Sequence, residues 1–515
     1  MPDALVPTIT CGTRVRRQLD AHTRAGSLAA ALISVGINRG DRVAVVLRND
    51  IEFLEVALGI AACGANPVPI NTRWKAAEMA HVLADADIRL VIAHTEFIAT
   101  VESAAAQVAD APAIAEVGMS EELVRALRLD PAHARPTHRH PTLEQWIAAH
   151  PEPLGYVEGA ISDSMGLVYT SGTTGKPKGV ARERMTPAQL LAIAGGTAQR
   201  MGLVPGGRML VAGPLYHTSP NAVAVLALRM GADITIMPRW DAEDFLRLVD
   251  RDRIQHAKVV PTMLSRLLSL PDETRSRYDV SSLTHLIHSA APCPPAIKRA
   301  AIDWFGTALH EFYGCSEAGA ITWITAAEWL ENPGSVGRLV DGSAVRILDD
   351  HGADLPAGSI GTVHLRGADY WPAFRYLNQP GTRSSPIPGM ITVGDTGYLD
   401  GNGYLYLTGR SAEIIISGGV NIYPAEIENA LLSLPEIEDA AVFGVPTTAD
   451  LCEAVHAHLV PRPGTAPDSE RIRAALAELL ADYKLPEIHI VDQLPRDDSG
   501  KVYKHQLRAQ YLART

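Results

Sequence analysis

Apolar positions between residues 20 and 94 fall into two kinds of run. Over 27–35 and 51–63 they recur with the spacing of one helix face, whereas 42–47 and 66–70 are short and nearly unbroken. Short apolar runs return at 209–212, 233–237 and 283–289, and 241–250 has an amphipathic helical pattern. This alternation of strand and helix predicts a parallel sheet covered by helices, an α/β reading that extends over about the first 410 residues. Beyond the Gly-rich patch Ser417, Gly418, Gly419 the texture changes. A helix over 425–434, strands over 440–443 and 454–460, a helix over 469–482, a strand over 488–491 and a loop over 494–501 predict a small α+β domain. The boundary falls near 410–413, giving a large domain over 1–411 and a small one over 412–515.

Length and composition narrow the classes. At 515 residues the chain is too long for one core. With 47% hydrophobic and 20% charged residues it reads as globular rather than disordered. Forty-six Lys and Arg against 58 Asp and Glu give a net charge of −12, which disfavours nucleic acid and anionic lipid as partners. The five cysteines are scattered and never in a C-x-x-C pair, so no disulfide framework or zinc cage is expected and a reducing, cytoplasmic setting fits. No export signal or membrane span is expected, because charges interrupt the most apolar early segment at Arg48, Asp50, Glu52 and Glu55. His133, His138 and His140 lie in a proline-flanked stretch that reads as an exposed connection rather than a metal site.

The run LVYTSGTTGKPKGV at 167–180 carries the strongest chemical signal. An apolar strand enters a loop holding Thr170, Ser171, Gly172, Thr173, Thr174, Gly175, Lys176 and Lys178. Glycines let successive amide N–H groups turn toward an anion, hydroxyls add donors and lysines add charge, so the loop suits phosphate oxygens. It is not a Walker loop, because Gly172 and Gly175 are too close and Pro177 stands where that loop has its metal-binding hydroxyl. Further along come EFYGCSE at 311–317, VGDTGY at 393–398, LTGR at 407–410, SGGVNIYPAE at 417–426 and LPRDDSGK at 494–501.

These six segments, in this order, resemble the motifs of the adenylate-forming ANL superfamily, which includes acyl-CoA synthetases, peptide-synthetase adenylation domains and beetle luciferases. The likeness covers nearly the whole chain. It implies a large α/β domain of stacked sheets flanked by helices and a small mobile α+β domain that carries a catalytic lysine loop. It also implies an ATP-dependent reaction in which a carboxylate becomes an acyl-AMP and pyrophosphate leaves. By match, Lys501 bridges the carboxylate and the α-phosphate, Glu317 ligates Mg2+ and Ser316 donates to the α-phosphate. Tyr313 stacks on adenine, with Phe312 and Gly314 as neighbouring cofactor-binding positions, Glu311 accepts from its amine, and the backbone of Ala290, Ala291 and Pro292 closes the other face. Asp395 and Arg410 take the ribose. A competing reading makes Ser316 a hydrolase nucleophile, since GCSEA at 314–318 nearly spells G-x-S-x-G, but its last position is Ala and the phosphate loop is then left without a role. A binder without catalysis would need neither Lys501 nor Glu317.

For the acid, the resemblance points to Tyr216, His217, Asn221, Val260, Ser289, Gly319 and Ala320, with His217 as the gate to the adenylate. These stretches are mostly small and apolar, with no obvious Lys or Arg, which suits a hydrophobic, alicyclic or aryl monocarboxylate. For the acceptor, two departures stand out: Ala412 where the family hinge is Asp or Lys, and Cys452 where CoA ligases carry Gly. With the likeness around 288–293, they point to the branch that transfers the acyl group to an amine, of which coronafacic acid ligase is the example. CoA is the alternative acceptor, and Gly418 and Gly419 of the pantetheine tunnel are retained. A monomer or homodimer is expected.

Overall fold

A computed structural model of the chain describes residues 6–155, 167–170, 177–378, 385–417, 420–447, 453–497 and 500–513. They form two compact units. One comprises Met1–Lys258, Glu273–His285 and Tyr370–Thr382, the other Val259–Asp272, Leu286–Asp369 and Arg383–Thr515.

The first unit opens with β1 (Thr8–Cys11), β2 (Arg14–Arg17), α1 (Gln18–Ser34), β3 (Arg42–Val46), α2 (Ile51–Ala62), β4 (Asn66–Pro69), α3 (Ala76–Asp85), β5 (Ile88–His94), α4 (Ile98–Ala105) and β6 (Ala113–Val117). A parallel sheet takes the order β4-β3-β5-β6. Val43, Ala44, Val45 and Val46 are all inaccessible, which explains an unbroken apolar run in place of alternation. Helices α3 and α4 share a core with Val46, Val68 and Val91. A second sheet, β2-β1-β10-β9-β11, uses β9 (Arg208–Val211), β10 (Asp233–Ile236) and β11 (His256–Val259). Its links are α5 (Thr218–Arg229) and α6 (Ala242–Asp252), the latter capped by the Asp241 carboxylate, which accepts from the Asp244 amide. A small antiparallel sheet joins β7 (Leu167–Thr170), β8 (Lys178–Arg182) and β18 (Phe374–Tyr376), numbered by its place in the chain.

The second unit begins with α7 (Pro261–Leu268), β12 (His285–His288), α8 (Pro295–Phe305), β13 (Leu309–Cys315), β14 (Gly319–Thr325) and β15 (Arg338–Leu339). Strand β12 runs parallel to β13, and β13, β14 and β15 pair antiparallel. There the helical alternation stops. β16 (Ala344–Leu348), β17 (Gly361–Arg366), β19 (Ile391–Leu399) and β20 (Leu405–Arg410) form an antiparallel sheet, so the α/β pattern expected through residue 410 does not extend to this stretch. The reason is visible in β16, where Val345 and Ile347 point inward and Arg346 outward: one solvated face gives a period of two rather than an unbroken run. Its inner face packs on Ala318 and Ile321 of the preceding hairpin.

The small C-terminal region has β21 (Ile415–Ser417), β22 (Val420–Ile422), α9 (Pro424–Leu432), β23 (Ile437–Pro446), β24 (Glu453–Pro461), α10 (Ser469–Ala477), β25 (Glu487–Ile490) and α11 (Lys504–Leu512). Strand β23 is longer than its apolar kernel 440–443, because the antiparallel ladder with β24 continues to Pro446. Helix α10 ends at Ala477, short of 482, and a 3-10 turn follows at Asp482–Lys484. Gly418, Gly419 and Cys452 lie outside the described residues. No described helix is long and apolar enough to cross a membrane.

Ile427 is fully buried with Leu431, Ile437, Val442 and Leu459 in one cluster. Ile427→Ala is expected to destabilise this region by about 2–5 kcal/mol. Amide hydrogen exchange over β23 and β24 checks it, and unchanged protection there would contradict the assignment of this core.

Candidate active site

Strands β13 and β14 form a hairpin whose turn holds Ser316, Glu317 and Ala318. A Cβ on Gly314 would lie 2.1 Å from the Gly319 carbonyl oxygen, so only glycine lets the two strands close here. The register shifts between Tyr313 and Gly314, re-aiming the residues on either side of the irregularity. Glu317 is only 4% exposed, and its carboxylate raises the Cys315 thiol together with the larger effect of burial.

Asp395 is the centre of the second unit's polar cluster. The β19–β20 register sets it opposite Arg410, whose Nε lies 3.2 Å from Asp395 Oδ1. The Tyr313 hydroxyl, from the hairpin, donates to Asp395 Oδ2 at 2.6 Å. Burial first, and then the Asp395 charge, push the Tyr313 hydroxyl above the ordinary tyrosine range, so it stays a donor.

The Lys501 loop reaches the same place. Its turn is closed by the Lys501 amide donating to Asp497 Oδ1 at 2.9 Å and the Gly500 amide donating to the Asp497 carbonyl at 2.9 Å. Arg496 ties the loop to the sheet through Asp439, with Nε donating to Oδ2 at 2.8 Å. Gly500, with φ +81°, has no room for a side chain: a Cβ would stand 2.7 Å from Thr262 Oγ1 and 3.5 Å from Val260 Cγ2. Val260, expected in the acid pocket, therefore lies against the loop. Burial depresses the Lys501 ammonium below its ordinary range and Arg410 depresses it further, while Glu413, Asp497 and Asp395 oppose the shift.

Glu311 has a partner that the sequence reading missed. Its carboxylate pairs with Lys298, which is 1% exposed on α8, and His288 Nε2 lies 3.8 Å away. Burial raises the Glu311 carboxyl and Lys298 opposes that rise. A signal existed: Lys298, Ala301, Ile302 and Phe305 are the buried stripe of α8, so the lysine stands at an inward position of an apolar face. After β12, Ser289 is buried and Ala290 has φ +78°, a backbone conformation that costs an alanine of the order of 1 kcal/mol and clusters at ligand-binding turns. Phe312 stacks on Trp323, with centroids 6.4 Å apart.

In the first unit, β7 and β8 pair antiparallel with Thr170 opposite Lys178. Ser171, Gly172, Thr173, Thr174, Gly175 and Lys176 lie outside the described residues. Lys178 is buried, and the neighbouring Pro177 carbonyl oxygen is 3.2 Å from His81 Nε2. His217 stands at the N-cap position of α5 without a side-chain capping bond and packs on Tyr216 with ring centroids 4.6 Å apart, while Asn221 Nδ2 donates to the Leu215 carbonyl at 2.9 Å. Just before the stretch 259–262, Lys258 of β11 is buried with its ammonium on the Ser219 hydroxyl at the start of α5. Burial pulls that ammonium down to about 7.

Removing one partner of a buried pair strands the other. Lys298→Ala is expected to cost about 3–5 kcal/mol, and adding Glu311→Gln to recover a large part of it. Thermal unfolding of the two single variants and the double variant checks this, and additive losses would contradict a direct pair.

Comparison with known proteins places the chain in a family. Residues 18–373 match the family model for AMP-binding enzyme and residues 426–501 that for AMP-binding enzyme C-terminal domain. A long-chain-fatty-acid–CoA ligase of Mycobacterium tuberculosis is 28% identical over 495 residues, covering 95% of this chain and 92% of the relative. Among solved structures, the anthranilate CoA ligase AuaEII in complex with anthranoyl-AMP has a TM-score of 0.86 at 26% identity, covering 99% of this chain and 95% of that one. The amide bond synthetase McbA from Marinactinospora thermotolerans has a TM-score of 0.82 at 26% identity, covering 98% and 97%. Carrying both family regions over most of its length, the chain belongs to the AMP-binding enzyme family and is an adenylate-forming ligase.

Proposed function

We propose that this ligase activates a hydrophobic, alicyclic or aryl monocarboxylic acid as its acyl-AMP and passes the acyl group to the amine of an amino acid. The observation that carries the first half is the convergence of the Lys501 loop on Asp395 and Arg410. In the first half-reaction a carboxylate oxygen attacks the α-phosphorus of ATP and pyrophosphate leaves. Negative charge grows on the α-phosphate oxygens, and a positioned ammonium in a poorly solvated site is a strong way to meet it. Lys501 takes that role, Ser316 donates to the same phosphate, and Asp395 with Arg410 holds the ribose. Tyr313 and the Ala290 turn hold adenine, with Ala291 and Pro292 beside them. Glu311 acts there through its Lys298 pair. The segment from Thr170 to Lys178 takes the outer phosphates.

Mg2+ suits Glu317, a buried carboxylate that offers the hard oxygen such an ion prefers, and it would neutralise phosphate charge. The acid is assigned to Tyr216, His217, Asn221 and Val260, with Ser289, Gly319 and Ala320. The buried Lys258 beside Ser219 favours acids that carry a hydrogen-bond acceptor on an otherwise apolar frame. We assign residues 1–411 to ATP and acid binding and 412–515 to the mobile lysine-bearing domain, in a cytoplasmic monomer or homodimer.

In the second half-reaction the neutral amine nitrogen attacks the acyl carbonyl carbon, AMP leaves and the nitrogen loses a proton. Ala412 at the hinge position and the fold shared with an amide bond synthetase support this acceptor. CoA is the second reading, favoured by the relatives named as CoA ligases.

Lys501→Ala is expected to lower pyrophosphate release on the order of a hundredfold or more while leaving ATP binding and the circular dichroism spectrum unchanged. Wild-type release by this variant would overturn the assignment. Because the working form is the ammonium and its pKa is depressed, the wild-type rate should fall on the alkaline side at a lower pH than an ordinary lysine imposes.

The acceptor is decided by supplying ATP, Mg2+ and a panel of aryl and alicyclic acids, once with CoA and once with mixed amino acids, and identifying products by mass. Amide without CoA is expected. Acyl-CoA with no amide from any amino acid would replace the amine reading by the CoA reading.

A further inference from the structure

The C-terminal sheet carries a cluster of metal-ligating side chains that adenylation does not use. Strands β24 and β25 run parallel, with His456 opposite Glu487 and His458 opposite His489. Alternate residues of a strand share a face, so these four side chains leave one side of the sheet together. Three of them converge. His456 Nδ1 lies 3.0 Å from His489 Nε2 and 3.8 Å from Glu487 Oε2, and His489 Nε2 lies 3.5 Å from Glu487 Oε1.

From this geometry we infer that His456, Glu487 and His489 form a binding site for a late first-row divalent cation of the Zn2+ class, bridging β24 and β25. A tetrahedral ion with bonds of about 2.0–2.1 Å holds its donor atoms roughly 3.3 Å apart. The imidazole nitrogens are 3.0 Å apart, a different Glu487 oxygen is nearest each of them, and one donor atom from each residue lies within 4.8 Å of the other two, so turning the exposed Glu487 carboxylate closes the set on an ion. Two imidazole nitrogens and one carboxylate oxygen suit Zn2+, Co2+ or Ni2+, whereas Mg2+ and Ca2+ prefer an all-oxygen shell.

The rings are also held in place. His456 and His489 stack with centroids 5.3 Å apart and planes 9° from parallel, and Tyr511 of α11 lies 4.5 Å from His456. Phe443 of β23 packs on His456 from 6.0 Å. One side of the cluster is shut, with His456 2% exposed, while the Glu487 side chain is 60% exposed and gives an ion its entry path. The open fourth position falls to water.

A bridging ion would do structural work. β25 is a four-residue edge strand, and the chain leaves it directly into the segment that carries Lys501. Pinning β25 to β24 therefore steadies the base of the catalytic loop. This inference stands apart from the choice of acceptor and from the roles assigned to Glu317 and Lys501.

The test uses the full-length, untagged protein after chelator treatment and dialysis. Titration with Co2+ is expected to develop the d–d absorption of a four-coordinate ion at one equivalent, and Zn2+ should displace it. Zn2+ should also raise the unfolding temperature. His489→Ala and Glu487→Ala, both on the open side of the cluster, are expected to fold normally and to bind Co2+ at least about tenfold more weakly. If the wild type gives no four-coordinate spectrum, the site is only a hydrogen-bonded histidine pair and the inference is wrong. Binding that survives unchanged in both variants would also overturn it and point to the histidines at 133–140.

Discussion

A carboxylate that is 8% exposed must find its partners inside the fold, and Asp395 finds them on two different elements. Arg410 faces it across one strand pair, and the Tyr313 hydroxyl reaches it from a hairpin in another sheet. A one-residue slip between β19 and β20 would turn Arg410 to the other face and leave the charge unpaired, so the pair fixes the register as well as the site. The apolar cluster of Ala318, Ile321, Val345, Ile347 and Val363 holds the hairpin against the antiparallel sheet and thus brings Tyr313 within reach. Packing and electrostatics here require each other.

Polar ties and close packing also fix where Lys501 lies. Its loop is shaped by Asp497 and fastened by Arg496 to Asp439, and Gly500 passes Thr262 where any side chain would collide. The ammonium is thereby brought close enough to Arg410 and Asp395 to feel both charges. A lysine held beside an arginine in a desolvated place is unfavourable until an anion arrives. In the proposed reaction a phosphate undergoing attack would be such an anion, and the arrangement would favour the charged transition state over the empty site.

What could be read from the chain follows a physical division. Residues grouped by a local motif stay grouped in the fold: Tyr313 to Glu317 occupy one hairpin, Asp395 and Arg410 close one strand pair, and Lys501 follows its own turn-forming sequence. The parallel sheet was legible too, because strands buried on both faces leave unbroken apolar runs such as 42–47. Partners brought together by tertiary packing were not. Lys298 and Lys258 belong to no motif, and only the fold brings them against Glu311 and Ser219. The sheet over 344–410 was missed because half-exposed strands alternate and their turns, such as the one capped by Asp349, break the pattern into short pieces.

As an adenylate-forming ligase, this chain joins a carboxylate to AMP reversibly before any acceptor is present. Isotope exchange between labelled pyrophosphate and ATP measures that step directly. With a suitable aryl or alicyclic acid and Mg2+, but neither CoA nor amine, label should enter ATP at a rate that rises with acid concentration and vanishes without the acid. No exchange with any acid, accompanied by labelling of Ser316 by a serine-directed phosphonate in the absence of ATP, would contradict the account.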